Sequence, residues 1–163
     1  PLVADIRIAR AGRKFADMAF GAGATLVTVI GESPRDVVEG AMASALANNG
    51  RVEVELGESW KPDDVARWVN LGVANLIVHR PLGVPAGEDV ATIYALERLR
   101  ELDLGDTKLT LAGGLSADVL HHFTGFAINV LVVGGAVINA VDPSAEIFRI
   151  REAAGKSFTR TLT

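Results

Sequence analysis

The stretch Val3-Ala4-Asp5-Ile6-Arg7-Ile8-Ala9-Arg10-Ala11-Gly12 opens as an apolar strand and ends in a cluster of charges. A strand interrupted by Asp5, Arg7 and Arg10 is not plain core. Charge of that density is expected where a strand leaves the core and faces a cavity. The pattern recurs along the chain. Apolar runs at 2–8, 24–30, 52–56, 75–78, 108–111 and 128–133 are rich in Val, Ile and Leu and mostly lack polar alternation. Strands buried on both faces read this way, as in a parallel sheet covered by helices.

Helical patterns fill the intervals, at about 12–22, 34–48, 61–71, 89–102, 116–123 and 143–154. Ser33-Pro34 and Asp142-Pro143 each read as a capping residue followed by a proline at the first helical position. Ser116 reads as a further start signal. Gly50, Gly72 and Gly155 stand where a left-handed residue would stop a helix. Apolar spacing such as Ile93, Leu96 and Leu99, or Val65, Trp68 and Val69, gives each helix one buried stripe. Trp60 and Trp68 are read as packing residues. The whole is six βα units in a single domain over 1–163. Such a chain is either an open doubly wound sheet or most of a TIM barrel, which needs eight units. The polar tail 157–163 is expected to fray or to dock on a neighbour.

Bulk composition narrows the function classes. Apolar residues make up 49% and charged residues 22%, an ordinary globular balance. A net charge of −4, with Lys and Arg spread along the chain, argues against nucleic-acid and anionic-membrane partners. The absence of cysteine excludes disulfides, thiolate metal sites and a cysteine nucleophile, and it permits a reducing cytoplasm. No apolar run is long enough to span a membrane.

The strand ends collect the residues capable of chemistry. Asp5 and Arg7 end the first strand, Thr28 the second, Glu55 the third and His79-Arg80 the fourth, while Gly113-Gly114 and Gly134-Gly135 follow the fifth and sixth. Ligands of parallel α/β folds bind beyond the carboxyl ends of the strands. Each glycine pair precedes a helix, where a backbone without a Cβ lets an anion approach amide donors. The alternative for each pair is a tight turn. His79 is the only histidine on a strand and is a candidate acid/base residue, with a structural role as the alternative. Glu55 reads equally as a ligand and as a buried acid paired with an arginine. His121 and His122 are adjacent, so they are expected to point apart, which argues against shared metal ligation.

These residues resemble the orotidine-phosphate decarboxylase suprafamily, and within it 3-keto-L-gulonate-6-phosphate decarboxylases and 3-hexulose-6-phosphate synthases. Val3 to Gly12 is similar to a family strand motif written D-x-K-x-x-D-A-G, and Gly21-Ala22-Gly23-Ala24 with Val27-Thr28-Val29 to the next strand. Val54-Glu55-Leu56 with Trp60, and Val78-His79-Arg80, resemble the decarboxylase branch. Ala112-Gly113-Gly114 and Gly134-Gly135-Ala136 resemble the synthase branch, and Asp142-Pro143 the start of the last helix. The resemblance implies a (β/α)8 barrel, six units of which are in this chain. It implies a homodimer or completion by another chain, a phosphorylated sugar as substrate, and Mg²⁺ stabilising an enediolate. Asp5 would be a metal ligand and catalytic with Arg7 and His79. Glu55, Gly113, Gly114, Gly134 and Gly135 would bind substrate and phosphate.

The chain departs from the motif at Arg7, where the family has lysine, and at Arg10, where it has aspartate. Those three motif positions change from a formal −1 to +1. Leu82 stands where the decarboxylase branch has arginine. The expected function is a divergent sugar-phosphate lyase, a decarboxylase or an aldolase. Within the fold, Arg7 and Arg10 could instead serve a more anionic substrate. The alternative from another class is a non-catalytic barrel relative with a structural, regulatory or phosphate-binding role.

Overall fold

The structure, a computed structural model, describes residues 1–81 and 83–158. The expectations attached to Leu82 and to the tail beyond Phe158 lie outside the described residues. Six strands, β1 (Val3–Ile8), β2 (Leu26–Ile30), β3 (Arg51–Glu55), β4 (Asn75–His79), β5 (Lys108–Ala112) and β6 (Val130–Val132), follow one another in chain order in one sheet. The pairings of β1 with β2, β2 with β3, β3 with β4 and β5 with β6 are parallel. Helices occupy the intervals: α1 (Gly12–Gly21), α2 (Arg35–Ala47), α3 (Pro62–Asn70), α4 (Val90–Arg100), α5 (Gly135–Ile138) and α6 (Pro143–Phe158). The chain divides into two compact units. One comprises Pro1–Ile77 with Leu102–Lys108, and the other comprises Val78–Glu101 with the chain from Leu109 onward.

In the first unit the apolar runs form the core. Val27, Val29 and Leu76 are fully buried, as the weak alternation of their strands predicts for strands covered on both faces, and Val52 and Val54 are fully buried although β3 alternates with Glu53 and Glu55, which are buried too. Val38, Ala41, Val65 and Trp68 bury the inner stripes of α2 and α3, and Trp60 is buried as well. Pro62 opens α3, and the Asp64 carboxylate accepts the Lys61 N–H at 3.1 Å, closing the first turn. The α1–α2 contact depends on small residues. Ala16, Ala41 and Ala45 are buried there, and Ser44 donates to Asp17 across it. A Cβ on Gly12 would collide with the Val37 carbonyl, which belongs to backbone and cannot swing away. Gly12→Ala is therefore expected to lower the stability by about 3 kcal/mol, the upper part of the usual overpacking range. The urea unfolding midpoint checks it, and an unchanged midpoint would refute the close α1–α2 approach.

In the second unit Leu96, Leu99, Leu111, Leu120 and Phe123 form the core, with Ile150 of α6 at its edge. Asp89 caps α4 by accepting the Thr92 N–H at 3.1 Å, and Asp142 caps α6 by accepting the Ala145 N–H at 3.0 Å. No helix among the described residues is long and apolar enough to cross a membrane.

Several local expectations need correction. The pattern at 116–123 yields only a 3₁₀ turn, Leu120–Phe123. Successive i→i−3 bonds run through it, His122 N–H to the Val119 carbonyl among them. Leu120 and Phe123, three apart and both fully buried, match the three-residue period of a 3₁₀ turn. Ser33 caps nothing. Its hydroxyl donates backward to the Ile30 carbonyl at 2.6 Å, and Pro34 takes the N-cap position. Gly155 does not stop α6, which runs to Phe158, with Lys156 paired to Glu152 across it at 2.7 Å. His121 and His122 do not point apart, since their ring centroids lie 4.0 Å from each other.

Candidate functional site

Each unit carries its own grouping of polar side chains at the carboxyl ends of strands. In the first, β1 leaves its register with β2. Ala4 pairs with Val27, but Ile8 pairs with Val29, so four steps along β1 match two along β2. The surplus is taken up around Arg7, whose φ of 46° lies in the left-handed region. For a residue with a side chain this conformation is strained, and bulges of this kind re-aim side chains. Two groups fix it. The Arg7 N–H donates to the Thr28 hydroxyl at 2.9 Å, and the same hydroxyl donates to Asp5 Oδ1 at 2.8 Å. Thr28 is buried, so its hydroxyl has one arrangement that satisfies both partners.

The re-aimed Arg7 side chain reaches β3, where Nη2 lies 2.6 Å from Glu55 Oε1. The guanidinium side chain remains 56% exposed and the Glu55 side chain 10%. Glu55 is thus a buried acid paired with an arginine, and that arginine still presents free donors to solvent. Arg10 is exposed and forms no ion pair among the described residues. One layer deeper, Glu53 pairs in register with Thr28 and is only 7% exposed. Burial raises its pKa above the ordinary glutamate value; the Arg51 charge opposes this, and the Asp5 charge adds to it. At the rim, the Glu32 carboxylate accepts the Ser59 hydroxyl at 2.7 Å and the Ser59 N–H at 3.0 Å. Those bonds, the hydroxyl first, hold its pKa below the ordinary value.

In the second unit His79 ends β4 with an exposed side chain. Its Nδ1 lies 2.8 Å from the Arg80 carbonyl, an acceptor only, so Nδ1–H donates and Nε2 carries the free lone pair of the neutral ring. Arg80 is buried and bonded through both its side chain and its main chain. Nε donates to Asp89 Oδ2 at 2.7 Å, Nη1 to the Gly113 and Gly114 carbonyls at 3.1 Å each, and Nη2 to the Val84 carbonyl at 3.1 Å. Its main-chain N–H donates to the Ala112 carbonyl at 2.9 Å. Gly113 has φ 92°, and a Cβ there would lie 2.7 Å from the Arg80 carbonyl oxygen and 3.0 Å from His79 Cε1. The first glycine pair therefore meets a close approach as well as a turn. Gly134 and Gly135 open the four-residue α5, with open space around Gly134.

Asp5, Arg7 and Glu55 are thus joined through Thr28 and a salt bridge. His79, Gly113 and Gly114 are joined through Arg80. Sequence reasoning placed Arg80 at a strand end without a role, and it missed Asp89 and Glu53. An aspartate at the start of a helical pattern was the available signal for Asp89. For Glu53 the signal was the i, i+2 spacing with Glu55 on one face of β3.

Residues 1–150 match the orotidine 5′-phosphate decarboxylase / HUMPS family. The chain belongs to this family. The family members it resembles in sequence include the 3-keto-L-gulonate-6-phosphate decarboxylase SgbH of Escherichia coli K12. It is 32% identical over 143 residues, covering 88% of this chain and 65% of the relative. UlaD, of the same description and from E. coli K12 / DH10B, is 33% identical over 147 residues, covering 87% and 66%. The chain therefore spans slightly under two thirds of the length of these relatives. Among solved structures, a 3-hexulose-6-phosphate synthase is 30% identical with a TM-score of 0.77, covering 93% of this chain and 72% of its own. KGPDC from Streptococcus mutans has a TM-score of 0.78 at 23% identity, covering 96% and 72%, and so shares the fold. The TIM-barrel-like α/β class follows from these likenesses.

Among the described residues no group of three or more His, Asp or Glu side chains is placed to hold a metal ion. Mg²⁺ does not require such a cage. It keeps several waters and takes one or two carboxylates. Asp5 is an exposed carboxylate oriented by a hydroxyl, with one oxygen outside the Thr28 bond. An all-oxygen donor set of this kind fits Mg²⁺.

Proposed function

We propose that this protein is a carbon–carbon lyase acting on a phosphorylated sugar, a decarboxylase or an aldolase built on one barrel domain. The observation that carries the reading is the Arg7–Glu55 pair beside the Thr28-oriented Asp5, at the strand ends of a family member. Breaking a bond to carbon next to a carbonyl leaves negative charge on oxygen. A divalent cation at Asp5, when bound, supplies charge stabilisation at that oxygen. Arg7, anchored at one nitrogen by Glu55, directs its remaining N–H donors at the same charge. Arginine stays protonated, so it stabilises charge and does not deliver a proton. The proton is assigned to His79. Its protonated ring gives up the Nε2 proton and returns to the neutral form already held by the Arg80 carbonyl. The amide groups of the loops at Gly113, Gly114, Gly134 and Gly135 take the phosphate, and Glu55 keeps Arg7 in place.

The outer edge of β1 supports assembly as a homodimer or with a further chain. Leu2, Val3 and Ile6 are 44–60% exposed there. The charge reversal at Arg10 favours a second reading, a non-catalytic relative that binds phosphate. Incubation with 3-keto-L-gulonate 6-phosphate or 3-hexulose 6-phosphate and Mg²⁺, followed by ³¹P NMR, separates the two. The lyase reading expects a new sugar-phosphate resonance. An unchanged spectrum with retained phosphate binding would establish the second reading in its place.

A further inference from the structure

We propose that Arg80 is a positioning residue: its guanidinium sets the Gly113–Gly114 loop as a phosphate cradle, while its main-chain carbonyl holds His79 beside that loop. The guanidinium acts on two consecutive peptide groups. Nη1 donates to the Gly113 and Gly114 carbonyls at 3.1 Å each. In a trans peptide the N–H lies opposite the C=O. With both carbonyls turned toward the guanidinium, the N–H groups of Gly114 and Leu115 are turned away from it. Among the described residues neither N–H has an acceptor, and Gly114 is exposed. Gly113 and Gly114 have φ of 92° and 56°. A backbone bent in this way can present successive N–H groups to an anion. Glycine permits that conformation but does not select it. The selection comes from Arg80.

Arg80 is itself held from several sides. Nε donates to Asp89 at 2.7 Å and Nη2 to the Val84 carbonyl at 3.1 Å, and the guanidinium carbon lies 5.5 Å from the centroid of the Phe123 ring. Asp89 alone balances the charge. The bonds to the glycine carbonyls are additional, and charge-assisted bonds of this kind fix geometry. The second link runs through the main chain. His79 Nδ1 lies 2.8 Å from the Arg80 carbonyl oxygen. A Cβ built on Gly113 would lie 3.0 Å from His79 Cε1, so the imidazole edge rests on the residue whose carbonyl Arg80 grips. A displacement of the loop therefore reaches the histidine. One buried residue sets both the end that would hold phosphate and the group assigned to move the proton, which keeps their separation constant.

The inference rests on the reading of Gly113 and Gly114 as a phosphate site and not on the lyase chemistry, so inorganic phosphate is the probe. In ¹⁵N-labelled wild type, phosphate is expected to shift the Gly114 amide and Arg80 Nε–H resonances with a common Kd. Arg80→Lys keeps a cation beside Asp89, but a single ammonium cannot reach Asp89, the Val84 carbonyl and both glycine carbonyls together. This variant is expected to bind phosphate at least about tenfold more weakly, the equivalent of one charge-assisted hydrogen bond. A purely structural Arg80 would lower the unfolding midpoint and leave the phosphate affinity of the folded variant unchanged. That result would overturn the proposal, as would a wild type whose Gly114 amide does not respond to phosphate. If Arg80→Lys does not fold, the Arg80 Nε–H resonance of the wild type decides. A shift that saturates with the Gly114 amide supports the coupling, and a static signal overturns it. Weakened phosphate binding in Arg80→Lys, with no sugar-phosphate turnover by the wild type, would leave this inference standing and defeat the lyase reading. Turnover by the wild type, with wild-type phosphate affinity in folded Arg80→Lys, would do the reverse.

Discussion

Replacing Asp89 by alanine lowers the stability by about 3–5 kcal/mol, the range for removing one partner of a buried ion pair. Arg80 and Asp89 have side chains 3% and 0% exposed, with Nε 2.7 Å from Oδ2. Without Asp89 the guanidinium keeps its bonds to the Gly113, Gly114 and Val84 carbonyls but holds an uncompensated charge out of water. The same substitution removes the α4 cap at Thr92, so two elements loosen together. Arg80→Met is comparably damaging, since it orphans the Asp89 charge and three carbonyl oxygens at once. The double variant Arg80→Met/Asp89→Leu costs less than the sum of the single losses, because neither charge is left alone. Urea unfolding followed by far-UV circular dichroism measures all three. Additivity in the double variant, or a loss under about 1 kcal/mol in Asp89→Ala, would show that the pair is not coupled as described.

On the proposed lyase reading, His79→Gln is expected to reduce kcat on a sugar phosphate by about 10²–10⁴-fold, the usual contribution of a positioned acid/base group. The side chain is exposed, so the fold should be unaffected and the unfolding midpoint should stay near the wild-type value. The bond from Nδ1–H to the Arg80 carbonyl is what suits this histidine to the proposed role. It fixes the neutral tautomer, with the free lone pair on Nε2. Glutamine can donate to that carbonyl but cannot carry a proton back and forth. Turnover within about threefold of wild type, measured with saturating substrate, would remove His79 from the proton-transfer role.

The strands were legible because burial on both faces leaves a simple mark. The stretches around Val27 and Leu76 carry little polar alternation and that around Val52 is bounded by apolar residues despite its charges, and they form β2, β4 and β3 within a residue or two of the expected bounds. Where the sequence misled, a local signal was outcompeted. Gly155 has the composition of a stop, but Ile150 is buried and the Glu152–Lys156 pair spans the glycine, so α6 continues. Ser33 has the chemistry of a cap, but its hydroxyl is taken by Ile30. Among the polar residues, Asp5, Arg7 and Glu55 stood out because charge at a strand end is conspicuous. Glu53 did not, because it lies inside the strand rather than at its end, and only the register places it beside Thr28. The role of Arg80 was hidden for a similar reason. It depends on Asp89, nine residues away, and on carbonyls contributed by a different loop.

The position of β1 at the end of the strand order has a practical consequence. Its outward N–H and C=O groups, together with Leu2, Val3 and Ile6, form a template onto which a further extended segment can add. A concentrated preparation of this polypeptide handled by itself therefore has a built-in route to strand-by-strand accretion. The bulge at Arg7 limits that route, because it bends the template after only a few residues.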